Sequence, residues 1–499
     1  MKSCCALLLG LCFLICLHQA VYSQSAQTLI RNGDRAVKTG NYYGAADAYR
    51  RALEISKTSD VAFKYAEVCR INHNYPDAIK WYSFVLFKEM DKFTEARFWL
   101  ADVYKSTGEY QKAQFHYGKY LNKVEDDPYH DVFLYEKAKH EILACEKAFY
   151  YKLDPVGVDI QHLDNTVNSE YSEFGITDIA DTSFVFGSLR PEGDPDISAY
   201  RARIYSSAWS GETYGRSKLI DSLINRNGSH ISNPHFSKNN STMYFCVSSE
   251  NEGVLLSSVF RSVYRDNCWT EPEKLGEPVN VEGTVSTQPS VAYTKDHDYL
   301  MFVSNREGGI GGLDIWYCEM KPDGSFGPAR NMGCNLNKYP EEDWHFFKPA
   351  SVINSIDDEI TPFFSTKDST LYFSSKWHYS MGGFDIFKSQ GDFLDWTEPE
   401  NLGYPINTHD NELYYYINSK GSITYFASNR AGSLTYRNDR CCNDIYSFPV
   451  PDYSNEEEME ENKITVLEKE IRLLVPLTLY FHNDEPNPRT RDTVTQYRY

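Results

Sequence analysis

Between Phe186 and Phe426 the chain sets a short apolar run around a phenylalanine five times, breaks it with small and polar residues, and follows it with an apolar pair. The markers are Phe186, Phe245, Phe302, Phe373 and Phe426; the pairs are Ile204-Tyr205, Val259-Phe260, Ile315-Trp316, Ile386-Phe387 and Ile445-Tyr446. Asp314, Asp385 and Asp444 precede the last three pairs. In four copies an aromatic residue stands eleven positions ahead of an asparagine: Tyr214 to Asn225, Trp269 to Asn280, Phe326 to Asn337 and Trp396 to Asn407. Fixed offsets of this kind mark one repeated supersecondary unit, and each copy reads as short strands of alternating polarity broken by turn residues. A small sheet cannot bury both faces alone. Stacking the sheets radially buries both and leaves only short edges, which predicts an all-β propeller. Five blades are visible, and the pattern leaves open a sixth or one closed by both ends of the domain. The aspartates are expected to accept hydrogen bonds from turn amides, and the glycines at 308, 309, 311, 312, 382 and 383 to supply positive φ.

The residues ahead of the propeller follow a helical period. TGNYYGAADAYRRAL (39–53), HNYPDAIKWYSFVL (73–86) and TGEYQKAQFHYGKYL (107–121) register on Tyr42, Tyr75 and Tyr110, which aligns Ala45, Ala78 and Ala113 and also Tyr49, Tyr82 and Tyr117. A helix precedes each, with Gly33, Ala66 or Ala101 where a partner would cross closely, and a further helix over about 129–152 would cap the array. One position after each small residue stands an acid, Asp34, Glu67 or Asp102, and Arg70 and Lys105 follow three residues after the second and third. The acids form a candidate groove for a basic partner, together with Arg70 and Lys105; the plainer alternative is ordinary ion pairs on helix faces.

These segments resemble tetratricopeptide repeats, and the apolar run, Ser-Asn-Arg, Gly-Gly and Asp-Ile-Trp/Tyr of the propeller resembles WD40-like, TolB-type blades. Blade four has Ser-Ser-Lys in place of Ser-Asn-Arg. The segment LLVPLTLYFHNDEPNP is similar to the opening of the OmpA-like wall-binding domain, which is incomplete here. The domain order resembles Bacteroidetes-type OmpA-family envelope proteins, including the PorE-like component of type IX secretion. That resemblance implies partners among envelope proteins, and peptidoglycan if the C-terminus continues.

The expected organisation is a signal peptide (1–23), a tetratricopeptide α-solenoid (25–152), a propeller of five or six blades (155–451), and an acidic linker with the start of an OmpA-like region (452–499). The leader carries an early Lys and an apolar stretch too short to span a bilayer, which predicts export to the periplasm or outer-membrane face. The net charge of −20 excludes nucleic acid as an expected partner, since no basic patch is concentrated anywhere. No later stretch is apolar enough for a transmembrane segment. Eight of the 12 cysteines lie beyond the leader. Cys246 with Cys268 and Cys318 with Cys334 are candidate local disulfides, and Cys441-Cys442 is either a vicinal bridge or simple packing.

Chemistry is hard to find by motif. There is no G-x-S-x-G elbow, no H-E-x-x-H and no phosphate loop, and the Gly-Gly-Ile-Gly-Gly run leads to a strand rather than a helix. No cofactor or metal site is expected, for no C-x-x-C pairs occur. The turns TKDHDYLMF and TKDSTLYF are similar to the Asp-containing turns of sialidases but lack their glycine and tryptophan. Trp344, His345, Phe346 and Phe347 mark a candidate binding loop on the propeller rim. The sequence-based expectation is an exported, non-enzymatic scaffold for protein interaction, linked to type IX secretion or wall attachment. The alternative is a carbohydrate-binding or glycosidase-like propeller.

Overall fold

The computed structural model describes residues 25–451, apart from 128, 181, 192–200, 211–212, 227, 252–253, 334–351 and 436–441, and also residues 463–466. Among these, seven helices come first: α1 (Ala26–Lys38), α2 (Tyr42–Ile55), α3 (Ser59–Ile71), α4 (Tyr75–Glu89), α5 (Glu95–Lys105), α6 (Tyr110–Val124) and α7 (Val132–Leu153). Consecutive helices pack as hairpins stacked into a solenoid. The small residues do what their positions predict: a Cβ at Gly33 would collide with the Tyr49 ring, and Ala66 and Ala101 are fully buried at the crossings. Asn41 and Asn74 cap α2 and α4 by accepting hydrogen bonds from Gly44 and Asp77 amides.

The propeller has five blades, so the sixth left open by the sequence is absent among the described residues. Blade one is β2 (Glu173–Ala180), β3 (Ser183–Ser188), β4 (Arg203–Ala208) and β5 (Lys218–Leu219). Blade two runs from β6 (His230–Phe236) through β7 (Thr242–Asn251) and β8 (Val254–Arg265) to β9 (Cys268–Trp269) and β10 (Glu273–Lys274). Blade three is β11 (Ser286–Tyr293), β12 (Asp298–Ser304), β13 (Asp314–Met320) and β14 (Arg330–Asn331). Blade four is β15 (Glu359–Ser365), β16 (Thr370–Ser375), β17 (Asp385–Gln390) and β18 (Glu400–Asn401). Blade five joins both ends of the domain: β19 (Glu412–Ile417), β20 (Ile423–Ser428) and β21 (Asp444–Pro449), with β1 (Gln161–His162) as its outer strand.

In every blade the marker phenylalanine is fully buried and lies directly across from the aromatic of the following pair. The partners are Phe186 and Tyr205, Phe245 and Phe260, Phe302 and Trp316, Phe373 and Phe387, and Phe426 and Tyr446. Burying one such ring contributes about 1.5–3 kcal/mol, so each pair is a substantial part of its blade's core.

Five asparagines then hold the turn after each outer strand. Asn225, Asn280, Asn354, Asn407 and Asn168 each accept from and donate to the backbone of one third-strand residue, at 2.8–3.0 Å. Blade three therefore uses Asn354 where the eleven-residue count pointed to Asn337, which lies outside the described residues. The extra residues after β14 displace the count. Asn168 precedes blade one yet clamps Ile445 of blade five, as the shared blade requires.

The arginine of Ser-Asn-Arg in blades three and five, and of Ser-Leu-Arg in blade one, joins neighbouring blades. Arg306 donates to the Val279 carbonyl, Arg430 to Ile406 and Arg190 to Val167, in each case the residue before a clamping asparagine. Blade four lacks the arginine, and His378 takes over by donating from Nε2 to the Ile353 carbonyl at 2.8 Å. The glycine expectation fails at five of its six positions. Only Gly308 among the six has positive φ. Gly311 and Gly382 are required because a Cβ would run into the backbone of Ser355 and Asp357 or of His409.

The last helix, α7, docks on blade four where the innermost strands begin. His140 is stacked between Trp377 and Tyr379, Lys147 lies 3.9 Å over the Tyr379 ring, and Lys137 pairs with Asp357. The buried Lys105–Glu141 pair reaches Ser380 at 2.8 Å. The Trp377–Met381 loop, which makes these contacts apart from the Lys137–Asp357 pair, directly follows the variant Ser-Ser-Lys, so blade four departs from the pattern where the helices seat.

Candidate functional site

Each innermost strand carries a β-bulge, and each bulge holds one residue in the left-handed region: Gly175, Asn233, Gln288, Thr361 and Tyr414, with φ of 51–63°. For residues other than glycine this costs on the order of 1–3 kcal/mol each, and such strain gathers at functional places. The Gln288 side chain ties three of them together: its Oε1 accepts from the Thr361 backbone amide at 2.8 Å, and its Nε2 donates to Tyr414 Oη at 3.4 Å. The channel is thereby reduced to a cavity of about 40 Å³. Pro234, Pro289 and Pro362 follow three of the bulges, and a proline inside a strand is the sequence signal that would have located them.

Beyond this stopper, where the innermost strands end, the wheel opens into a funnel of about 880 Å³. Half-buried Tyr293, Phe363 and Tyr416 present rings to it. Asp178 enters from blade one, its Oδ2 accepting from the Ser419 amide at 2.7 Å and the Ser419 hydroxyl at 3.0 Å. Asp368 stands exposed on the hairpin between β15 and β16. Lys238 brings a cation, with Nζ 5.8 Å from the centre of the Tyr293 ring. At the base His235 accepts the Val291 amide on Nδ1 at 3.2 Å, and burial pushes its pKa down to about 4, so the ring is neutral at pH 7. The site thus combines carboxylates, hydrogen-bonding groups and aromatic faces in one concave wall. Asp368 lies in the TKDSTLYF turn, the one part of the funnel that the sequence marked.

The candidate groove of the helical array is differently used. Asp34 accepts from Tyr49 Oη at 2.7 Å and from Lys64 at 2.5 Å, while Glu67 is bonded by Tyr82 Oη and by Arg70 at 3.0 Å. Each of these acids thus braces a tyrosine on the next helix. Burial pushes the Asp34 carboxyl up, but Lys64 and Tyr49 outweigh it and leave it below its ordinary value. Asp102 is half-buried on α5, and Lys105 turns inward to Glu141. Trp344, His345, Phe346 and Phe347 lie outside the described residues.

The cysteine pairings need correction. Cys246, Cys268 and Cys318 are free thiols. Cys246 faces Val259 while Cys268 faces Arg265, six residues further along β8, or about 20 Å at strand rise, far beyond disulfide reach. Cys246 instead accepts the Gln288 amide at 3.1 Å beside the stopper. Cys318 is buried in β13 without a bridge, which removes the pairing with Cys334. Cys442 is disulfide-bonded, and both Cys334 and Cys441 lie outside the described residues. Among the described residues no cluster of metal-ligating side chains occurs and no helix is long and apolar enough to cross a membrane.

No family model and no curated protein matches the chain. Solved structures similar to it include an α-L-arabinofuranosidase from Lactobacillus brevis, 12% identical over 58% of this chain and 92% of that one, with a TM-score of 0.35. An endo-arabinase from Bacteroides thetaiotaomicron is 14% identical over 58% and 98%, with a TM-score of 0.35. The RS223 β-xylosidase is 10% identical over 58% and 94%, with a TM-score of 0.37. At these identities and scores no substrate or mechanism carries over. The order of helices and then a propeller stands, but the finer resemblance to OmpA-family envelope proteins finds no match. The expectation of a non-enzymatic scaffold, tied to secretion or wall attachment, is corrected: it rested on the absence of a catalytic motif, and the similar solved chains are glycoside hydrolases.

Proposed function

We propose that the protein is an exported, carbohydrate-directed propeller whose funnel binds a glycan and acts on its glycosidic bonds. The observation that carries this reading is the funnel itself, where Asp178 and Asp368 enter from two blades beside the rings of Tyr293, Phe363 and Tyr416. Apolar faces of a sugar ring suit the aromatic side chains, and its hydroxyls suit the carboxylates, Lys238 and Asn240. Glycoside hydrolysis needs a pair of carboxyl groups, one giving a proton to the leaving oxygen and one acting on the other face of the sugar; Asp178 and Asp368 are the proposed pair. The helical array is the proposed contact with other envelope proteins, and the leader supports export.

The test is incubation of the full chain with arabinan, xylan, galactan and peptidoglycan glycans, with reducing ends and binding both measured. Turnover of one of them that drops about 100-fold or more in Asp178→Asn and in Asp368→Asn is the expected result. Absence of binding and turnover across the panel, or turnover indifferent to both substitutions, overturns the reading.

A further inference from the structure

The funnel is not a closed cup. A second cavity of about 440 Å³ lies between blades four and five and shares Asp368, Tyr372, Tyr415 and Pro451 with the funnel wall. Tyr372 and Tyr415, one from each blade, are stacked at 4.2 Å and 17°, forming the common floor where the two spaces meet. From there the groove runs outward past Gln390 to Lys388 and Glu400, which pair at 3.3 Å near the outer edge of blade four. Its walls are polar and partly exposed, so it is a wet path suited to a hydroxylated chain rather than a seat for an apolar peptide. The stopper at the axis forbids threading through the wheel, so a ligand too long for the funnel has this side groove as a way out. Together the two spaces exceed the roughly 300–1,000 Å³ of a site for one drug-sized molecule.

From this continuity we infer that the ligand is an oligosaccharide chain, with one portion in the funnel and further units laid along the groove between blades four and five. The inference rests on the carbohydrate reading above and adds the length of the ligand and the direction in which it lies. Affinity then rises with chain length beyond what the funnel alone holds, and the gain resides in groove residues that do not line the funnel.

The experiment is calorimetric titration of the full chain with xylo-, α-1,5-arabino- and chito-oligosaccharides of one to six units. The expected result is affinity that climbs about tenfold or more from dimer to hexamer in one series. In the double variant Lys388→Ala/Glu400→Ala, and separately in Gln390→Trp, which narrows the groove, hexamer affinity falls to the level of the dimer. Circular dichroism checks that both variants fold, and the two act by opposite means, one removing contacts and one filling space. Affinity that is flat with length, or a length dependence untouched by both variants, overturns the groove while leaving the funnel standing. If no series binds at all, the carbohydrate reading fails and this inference falls with it.

Discussion

His140 lies flat between Trp377 and Tyr379, with ring centres 4.0 and 4.3 Å away and planes within 13° of parallel. One side chain of α7 thus holds two rings of a propeller loop. His140→Ala is expected to lower stability by about 1–3 kcal/mol, the worth of two aromatic contacts, and to separate helical and propeller unfolding in urea. Burial pushes the pKa of His140 from its ordinary 6.5 down to about 4. Below pH 6.5 the unfolded chain therefore takes up a proton that the folded chain refuses, and stability falls until about pH 4. His116, His235 and His378 are pushed to about 4 as well, so the variant should lose only part of that slope.

The Lys105–Glu141 pair, with both side chains 2% exposed, is the most buried charge pair at the seat of the helices on blade four. Removing one partner by Lys105→Met leaves a buried carboxyl group unpaired and should cost about 3–5 kcal/mol. The double variant Lys105→Met/Glu141→Met should recover much of that loss, which chemical denaturation of the three variants would reveal.

Asn407 is fully buried and bonds the Ile386 amide, the Ile386 carbonyl and Asn401. Asn407→Ala leaves an amide and two oxygens without this partner, for a loss of about 2–4 kcal/mol. Hydrogen exchange should show the loosening at Ile386 first, ahead of the other blades.

Where blades one and five pair Glu173 with Arg190 and Glu412 with Arg430, blade four sets its fully buried Glu359 beside His378. Burial pushes the Glu359 pKa from 4.5 to about 8 against the hydrogen bonds of Ser355 and Ser375. An acid raised in this way contributes most below pH 4.5, and its contribution is lost as pH climbs through about 8. Glu359→Gln should remove that decline, so that the variant gains on the natural protein as pH goes from 6 to 9 in thermal unfolding.

Much of the wheel could be read directly from residues. The five phenylalanines and the aromatics opposite them were legible because cross-strand packing imposes one residue type at one register. The helical hairpins were legible from Gly33, Ala66 and Ala101, where crossing helices leave no room. Asn354 was hidden because counting fails across an insertion. His378 was hidden because a neighbour's carbonyl needs only a donor, which histidine supplies as well as arginine. The funnel was hardest to see: Asp178, Lys238, Tyr293, Phe363 and Tyr416 come from separate strand ends, and only folding brings them together.

The two-residue strand β1 gives the wheel a history in time. It is made early on the ribosome, yet its hydrogen-bonding partner, β21, is among the last parts of the wheel to emerge. Four blades must therefore stand in an open arc until Asp444–Pro449 arrives to take its place beside Gln161 and His162. A ribosome stalled before residue 444 would carry an unfastened ring, and deleting those two early residues would leave the finished one without its latch.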